Sequence, residues 1–356
     1  MLITIPTLTS VVLGGTYIAT SVQNALAFQR VETLASLSSD VTGLVAHLED
    51  ERDQTMEYIG QGDNGRAGTL GHKPGSAAQN LSLVRQGQTL TEPWVRKVST
   101  DSAAVGAGYP LQVQQGARNL VDQVGLLGTL RTAATATRLP AADVMASYTK
   151  MIDELLSIDD NIALGSGDPA LNNDVRALSL VSLIAEQASE QRGLLAYSFA
   201  QDQKFEPIVL ADLQTAQEEQ AANLAEFNRV ATPQQVNLYQ NKVQGGLVDF
   251  ASSQELQAIQ IGLANQKLNV SPITANEWYG AMSTGTIAGI RSVEQDLAAA
   301  TIARVSALRQ SAIITASVIG VAILIVLLLV LLLTALVWRR TLRQRRTPSL
   351  RTTALG

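Results

Sequence analysis

Residues 181–199 read VSLIAEQASEQRGLLAYSF, and the spacing of apolar letters there decides the class of fold. Val181, Ile184, Ala188, Leu195 and Phe199 recur three or four residues apart, which places them on one face of an α-helix. Arg192 falls on that face, four residues after Ala188 and three before Leu195. An earlier stretch has the same layout. Leu34, Leu37, Val41, Leu44, Leu48, Thr55 and Ile59 share a helical face, and Arg52 sits between Leu48 and Thr55. Aligning Arg52 with Arg192 pairs Leu44 with Ile184, Leu48 with Ala188 and Ile59 with Phe199. Leu139-Pro140 leading to Tyr148 likewise echoes Ser271-Pro272 leading to Trp278-Tyr279. Together these matches point to two similar helical bundles, with halves at about 30–164 and 170–311.

Breakers divide the remaining chain into helices. A Gly-, Asp-, Asn- and Pro-rich loop spans 60–75, and helices are predicted at about 77–104 and 110–136. Pro140 opens a helix to about residue 164, and Gly165-Ser166-Gly167-Asp168-Pro169 is the clearest internal break. Further helices are predicted near 170–200, 207–230, 234–248 and 252–268, with 269–272 as the last breaker. From Thr274 onward no proline intervenes before a long apolar run, so one helix is expected to leave the domain and enter it.

Composition supports an all-α fold. Aromatic residues are 4% of the 356, and the hydrophobic 46% is rich in Ala, Leu and Val, which suits helix–helix packing. Cysteine is absent, which excludes disulfides, thiolate metal sites and a cysteine nucleophile. Two histidines, His47 and His72, are too few for a histidine metal cluster and read as ordinary helix-face or surface residues.

Two hydrophobic segments bracket the helical region. Residues 312–338 hold no charge, and at ~1.5 Å per residue they exceed the ~30 Å hydrocarbon core of a bilayer. Trp338 and the following arginines form an interfacial anchor. Arginines stand at 339, 340, 343, 345, 346 and 351 with no acid among them, although the whole chain carries −5. By the positive-inside rule this places 339–356 in the cytoplasm and 30–311 outside it. Residues 1–29 are also uncharged. They read as a retained first transmembrane helix or, with Ala25-Leu26-Ala27 as a cleavage site, as a signal peptide; the missing basic n-region favours the retained span. The expected architecture is two four-helix-type bundles between two transmembrane helices.

An arginine on an apolar face needs an anionic partner, because its charge persists at any working pH and is costly to bury alone. A neighbouring carboxylate, such as Glu51 or Glu190, is one such partner. A bound oxyanion is the other, since the planar fork of donors fits nitrate, carboxylate or phosphate.

Leu48-Glu49-Asp50-Glu51-Arg52 resembles the Leu-x-x-Glu-Arg opening of the nitrate- and nitrite-sensing (NIT) domain. Residues 178–195 are similar to its central helix, in which an acid and an arginine precede small and apolar residues. Phe205, the helix after it and Glu226-Phe227 continue the likeness, and Trp278 through Val293-Glu294 resembles the closing segment. The resemblance covers roughly 40–300. It implies a pair of dimerising four-helix bundles that hold a small oxyanion with arginines. Arg52 and Arg192 match the motif arginines, and Arg291 on the closing helix is a third candidate. With flanking spans, the arrangement also resembles the input half of actinobacterial sensor histidine kinases. Asp53 stands where the family often has glycine, and the first motif has one arginine where some relatives have two.

Three function classes follow. A sensory receptor would bind a small anion, nitrate or nitrite, outside the cytoplasm and signal to a cytoplasmic kinase or transmitter, as a homodimer held in the lipid bilayer. An interaction module would pair the same arginines internally and bind no small ligand; carboxylates within reach of the arginines would favour it. An enzyme is disfavoured: neither histidine has Glu three residues before it, and no Gly-x-x-x-x-Gly-Lys loop or kinase motif is present. The chain is therefore expected to be no kinase itself, but an input subunit or part of a longer protein. Neither a cofactor nor a nucleic-acid partner is expected.

Overall fold

The computed structural model describes residues 4–61, 77–136, 139–158, 168–201, 205–268 and 275–344. The helices run in order as α1 (Thr4–Gln61), α2 (Ala77–Ala103), α3 (Leu111–Ala136), α4 (Ala141–Leu156), α5 (Pro169–Gln201), α6 (Pro207–Val230), α7 (Pro233–Lys242), α8 (Gly246–Leu263) and α9 (Ala275–Ala281). A π-helical turn, Met282–Ile287, then leads into α10 (Ala288–Gln344). Among the described residues the fold is all-α, with no strand. The loop after Gln61, Gly165-Ser166-Gly167, the 269–272 breaker, His72 and the tail from 345 lie outside the described residues.

Local chemistry sets several of the helix starts. Pro207 and Pro233 occupy the first turns of α6 and α7, where a missing N–H costs nothing. Thr232 caps α7 reciprocally: its hydroxyl accepts from Gln235 N–H, and its own N–H donates to the Gln235 side chain at 2.8 Å. At α5, the Asp168 carboxylate accepts from Leu171 N–H at 2.8 Å. One boundary differs from the sequence expectation. The break predicted after residue 248 falls at 243–245 instead, because Gly245 adopts φ 106°, a conformation that side-chain-bearing residues avoid.

Two compact units form, Arg30–Val305 and a second built from Met1–Gln29 with Ser306–Gly356. In the larger unit α1 and α5 lie side by side and parallel: Asp53 meets Gly193, and Gly60 meets Tyr197 and Ala200. A one-sided stripe was expected on α5, yet 184–200 is buried almost all round, with Glu190 only partly exposed. The reason is its small residues. Ala185, Ala188, Ser189, Gly193, Ala196, Ser198 and Ala200 let neighbours approach from every side. Helices α4, α6 and α9 pack on α5, α2, α3 and α4 pack in succession, and α8 joins α6, α9 and the π-turn. Trp278 is fully buried, donates to the Ala251 carbonyl at 3.2 Å and meets Phe199 edge-on at 5.6 Å.

In the smaller unit the start of α1 runs antiparallel to the end of α10, with Gly14 against Ile323 and Ile18 against Gly320. Among the described residues one helix, the run containing 312–338, is long and apolar enough to cross a membrane. Many of its aliphatic side chains, among them Val318, Val321, Leu324, Leu328, Leu331 and Val337, are exposed, an apolar surface far larger than the patches monomeric soluble proteins usually present.

Candidate functional site

Five consecutive charged residues, Glu49-Asp50-Glu51-Arg52-Asp53, sit in the C-terminal part of α1. At ~100° per residue five positions sweep the whole helix circumference. Glu49, Glu51, Arg52 and Asp53 are all at most 1% exposed, so α1 is enclosed at this height except on the side where Asp50 reaches the surface. Asp50, Arg52 and Asp53 meet α5, Glu49 meets α10, and Glu51 meets α2, α3 and α4.

Arg52 grips the Glu186 carboxylate of α5 with both terminal nitrogens and donates to the Thr149 hydroxyl of α4 at 2.9 Å. Its Nε lies 3.6 Å from Asp53 Oδ1, and neither atom has a hydrogen-bond partner. Arg192 donates from Nε to Asp53 Oδ2 at 2.5 Å, from one terminal nitrogen to Asp50 at 2.7 Å and from the other to the Ser283 hydroxyl at 3.0 Å. The Tyr279 ring lies under its guanidinium, 5.1 Å from the ring centre. Arg291 pairs with Glu49 and donates to Glu294 at 2.7 Å. The structure thus brings Arg192 and Arg291 against the 49–53 run that contains Arg52.

Gly193 makes room for this cluster. A Cβ there would come within 2.5 Å of Asp53 Oδ1 and 3.2 Å of the Met145 methyl.

Sequence reading missed a fourth arginine. Arg131 of α3 forks onto Glu51 at 2.8 Å through two nitrogens and reaches Glu92 at 2.5 Å. Thr91 and Tyr148 donate to the same Glu51 carboxylate at 3.0 and 2.9 Å. Glu51 therefore belongs to Arg131, not to Arg52. The signal was present: Arg131 continues the buried face of Leu120, Val124, Leu127 and Ala134, as Arg52 continues its own. Glu186, Asp50, Tyr279 and Ser283 were also missed, since nothing local marks which polar residue a distant arginine will meet. His47 stacks near Trp94, with ring centres 5.7 Å apart.

Burial dominates the electrostatics. It pushes Asp53 up to about 6, although Arg192 and Arg52 pull it down. Burial raises Glu190 to about 7 against the pull of Arg52, with Asp153, Glu219 and Asp212 adding to the rise. Burial likewise holds Glu186 well above the usual carboxylate range. Burial opposes the charge on Arg52, Arg192 and Arg291, but the facing carboxylates outweigh it and each stays firmly protonated. Carboxylates thus face every arginine, and two of the acids titrate near neutrality.

The fold and this site define an all-α domain with buried, multiply bonded arginines between its two central helices. A family profile described as nitrate and nitrite sensing (NIT) matches residues 43–302, and the chain belongs to that family. Among solved structures it is similar to the NasR transcription antiterminator, at 18% identity and a TM-score of 0.67, covering 86% of this chain and 82% of that one. At that identity the likeness speaks for the fold alone. Comparison with curated proteins finds no match.

Proposed function

We propose that this chain is a membrane-anchored sensory module that binds a small oxyanion, nitrate or nitrite, outside the cytoplasm. Arg52 and Arg192, with Arg291 beside them, hold the ligand. Its binding is passed along the helix that ends in 312–338 to a cytoplasmic kinase or transmitter. In this reading residues 1–29 are a retained first span, 339–356 is the basic cytoplasmic flank, and the 30–311 region pairs as a homodimer. The halves at about 30–164 and 170–311 are two bundles that share the α1–α5 contact. The chain performs no catalysis, and it takes neither a cofactor nor a nucleic-acid partner.

Membership of the nitrate- and nitrite-sensing family supports the reading. The observation that carries it is the pair Arg52 and Arg192, both essentially inaccessible, with the Arg52 Nε lacking an acceptor. Buried charged donors left unbonded are costly unless something anionic completes them.

A second reading has a specific observation in its favour: every one of these arginines already meets a carboxylate. In that case the cluster is structural and the domain serves dimerisation or a protein partner. Thermal unfolding of the full chain in detergent micelles separates the two, using nitrate, nitrite, acetate, sulfate and phosphate at fixed ionic strength. A concentration-dependent rise with nitrate or nitrite, lost in folded Arg52→Ala and Arg192→Ala variants, supports anion sensing. No rise with any anion leaves the interaction module.

A further inference from the structure

The helical run leaving α9 is interrupted by the π-turn Met282–Ile287 before α10 begins. Such turns are weaker than α-helix and persist where their surroundings hold them, frequently at functional positions. Here the surroundings are explicit. On one side the Ser283 hydroxyl accepts from Arg192, and Thr284 donates to the Gly280 carbonyl at 2.6 Å. On the other side Gly285 lies against Leu247 of α8 and Gly289 against the Lys242 carbonyl of α7. Within the turn, Thr286 buries a hydroxyl that has no partner, so the segment is not fully satisfied as it stands.

The three donor positions of Arg192 are unequal. Two go to carboxylates, Asp53 and Asp50, and one goes to the neutral hydroxyl of Ser283. All three bonds have a charged donor, but only those to Asp53 and Asp50 add the attraction of an opposite charge. An anion arriving at Arg192 therefore displaces Ser283 first. Tyr279, one turn earlier in the same run, lies under the guanidinium, so this segment contacts Arg192 twice.

We infer that Ser283 couples anion binding at Arg192 to α10. The anion takes the Arg192 nitrogen from the Ser283 hydroxyl, the π-turn relaxes into α-helix, and its extra residue is taken up into the regular twist, turning α10 by about 100°. Ser283 is a positioning residue here and does not hold the ligand. The inference rests on the anion-sensing reading above.

The test is hydrogen–deuterium exchange of the full chain in detergent micelles, with and without sodium nitrate at fixed ionic strength, beside thermal unfolding as a separate readout of binding. In the wild type, nitrate is expected to slow exchange of amides 282–288 by about tenfold, as ordinary α-helical bonds replace the π-turn's. Ser283→Ala is expected to exchange slowly there without nitrate, to show no further response and to bind nitrate several-fold more tightly, because a competitor for Arg192 is gone. Ser283→Thr, which keeps the hydroxyl, should respond as the wild type does. If nitrate stabilises the wild type but leaves 282–288 unchanged, or if Ser283→Ala responds like the wild type, the coupling is overturned and sensing stands. If neither nitrate nor nitrite stabilises the wild type, sensing itself is overturned, and the coupling with it.

Discussion

At the scale of single residues, the buried arginines behave as members of ion networks. Removing one partner of a buried pair leaves an uncompensated charge, which costs about 3–5 kcal/mol. Arg52→Ala is expected to lose that much in denaturant unfolding, because Glu186 remains buried opposite it. Adding Glu186→Gln should recover a large part of the loss; full additivity of the two changes would show that they do not interact. Glu255 is a simpler case. It is 5% exposed, its hydrogen-bond donor is Gln217, and burial raises it to about 7. Between its usual 4.5 and that value the folded chain holds a proton that the unfolded chain has lost. Its contribution to stability therefore falls as pH rises through this window. Glu255→Gln should be more stable than the wild type by about 3 kcal/mol at pH 8 and equal to it near pH 4, in urea titrations at both. Equal stability at pH 8 would show that the carboxylate is ionised without penalty. For the proposed anion site, Asp53 and Glu190 titrate near 6 and 7, and protonating either weakens a competitor for the arginines. Nitrate affinity is expected to rise as pH falls from 8 to 6, by up to about tenfold per unit for one proton taken up. Calorimetry showing pH-independent affinity would contradict it. Arg52 and Arg192 were legible in the sequence because each breaks an apolar stripe. Arg131 breaks one equally and was passed over.

At the scale of elements, the packing of α5 against α1 carries the site. Gly193→Ala would press a methyl onto Asp53 and Met145, so a loss of about 1–3 kcal/mol is expected. Thermal unfolding unchanged from the wild type would mean that the two helices separate without cost. Helix existence was readable throughout from the three-to-four spacing, whereas α5 proved buried on nearly all faces. Periodicity records where large apolar residues lie, and small residues such as Ala185 and Ser189 are silent in that record although they admit neighbours. The α7–α8 boundary moved for a similar reason. Residues 243–248 hold one strong signal, Gly245-Gly246, and the positive φ of Gly245 ends the helix there.

At the scale of the whole molecule, the proposed topology assigns each part to one side of a membrane. The chain lacks cysteine, so single introduced thiols report topology cleanly. In intact cells a membrane-impermeant maleimide is expected to label Ser252→Cys, which lies on an exposed face of α8, and to label Thr341→Cys only after permeabilisation. The reverse pattern would invert the proposed orientation. Equal labelling of both would remove the span.

The sequence by itself determined that the chain is helical, that 312–338 is apolar enough to cross a bilayer, and that arginines stand on buried helical faces. Each of these follows from neighbours within a few turns. The tertiary structure decided which group meets each arginine. The partners Arg52–Glu186 and Arg192–Asp53 are 134 and 139 residues apart, and an apolar face tells that something will cover it but not what. It also decided the π-turn and its bond to Arg192. A π-turn is an intrinsically unfavourable local geometry, sustained by contacts from α5 and α8 that no stretch of the chain contains on its own.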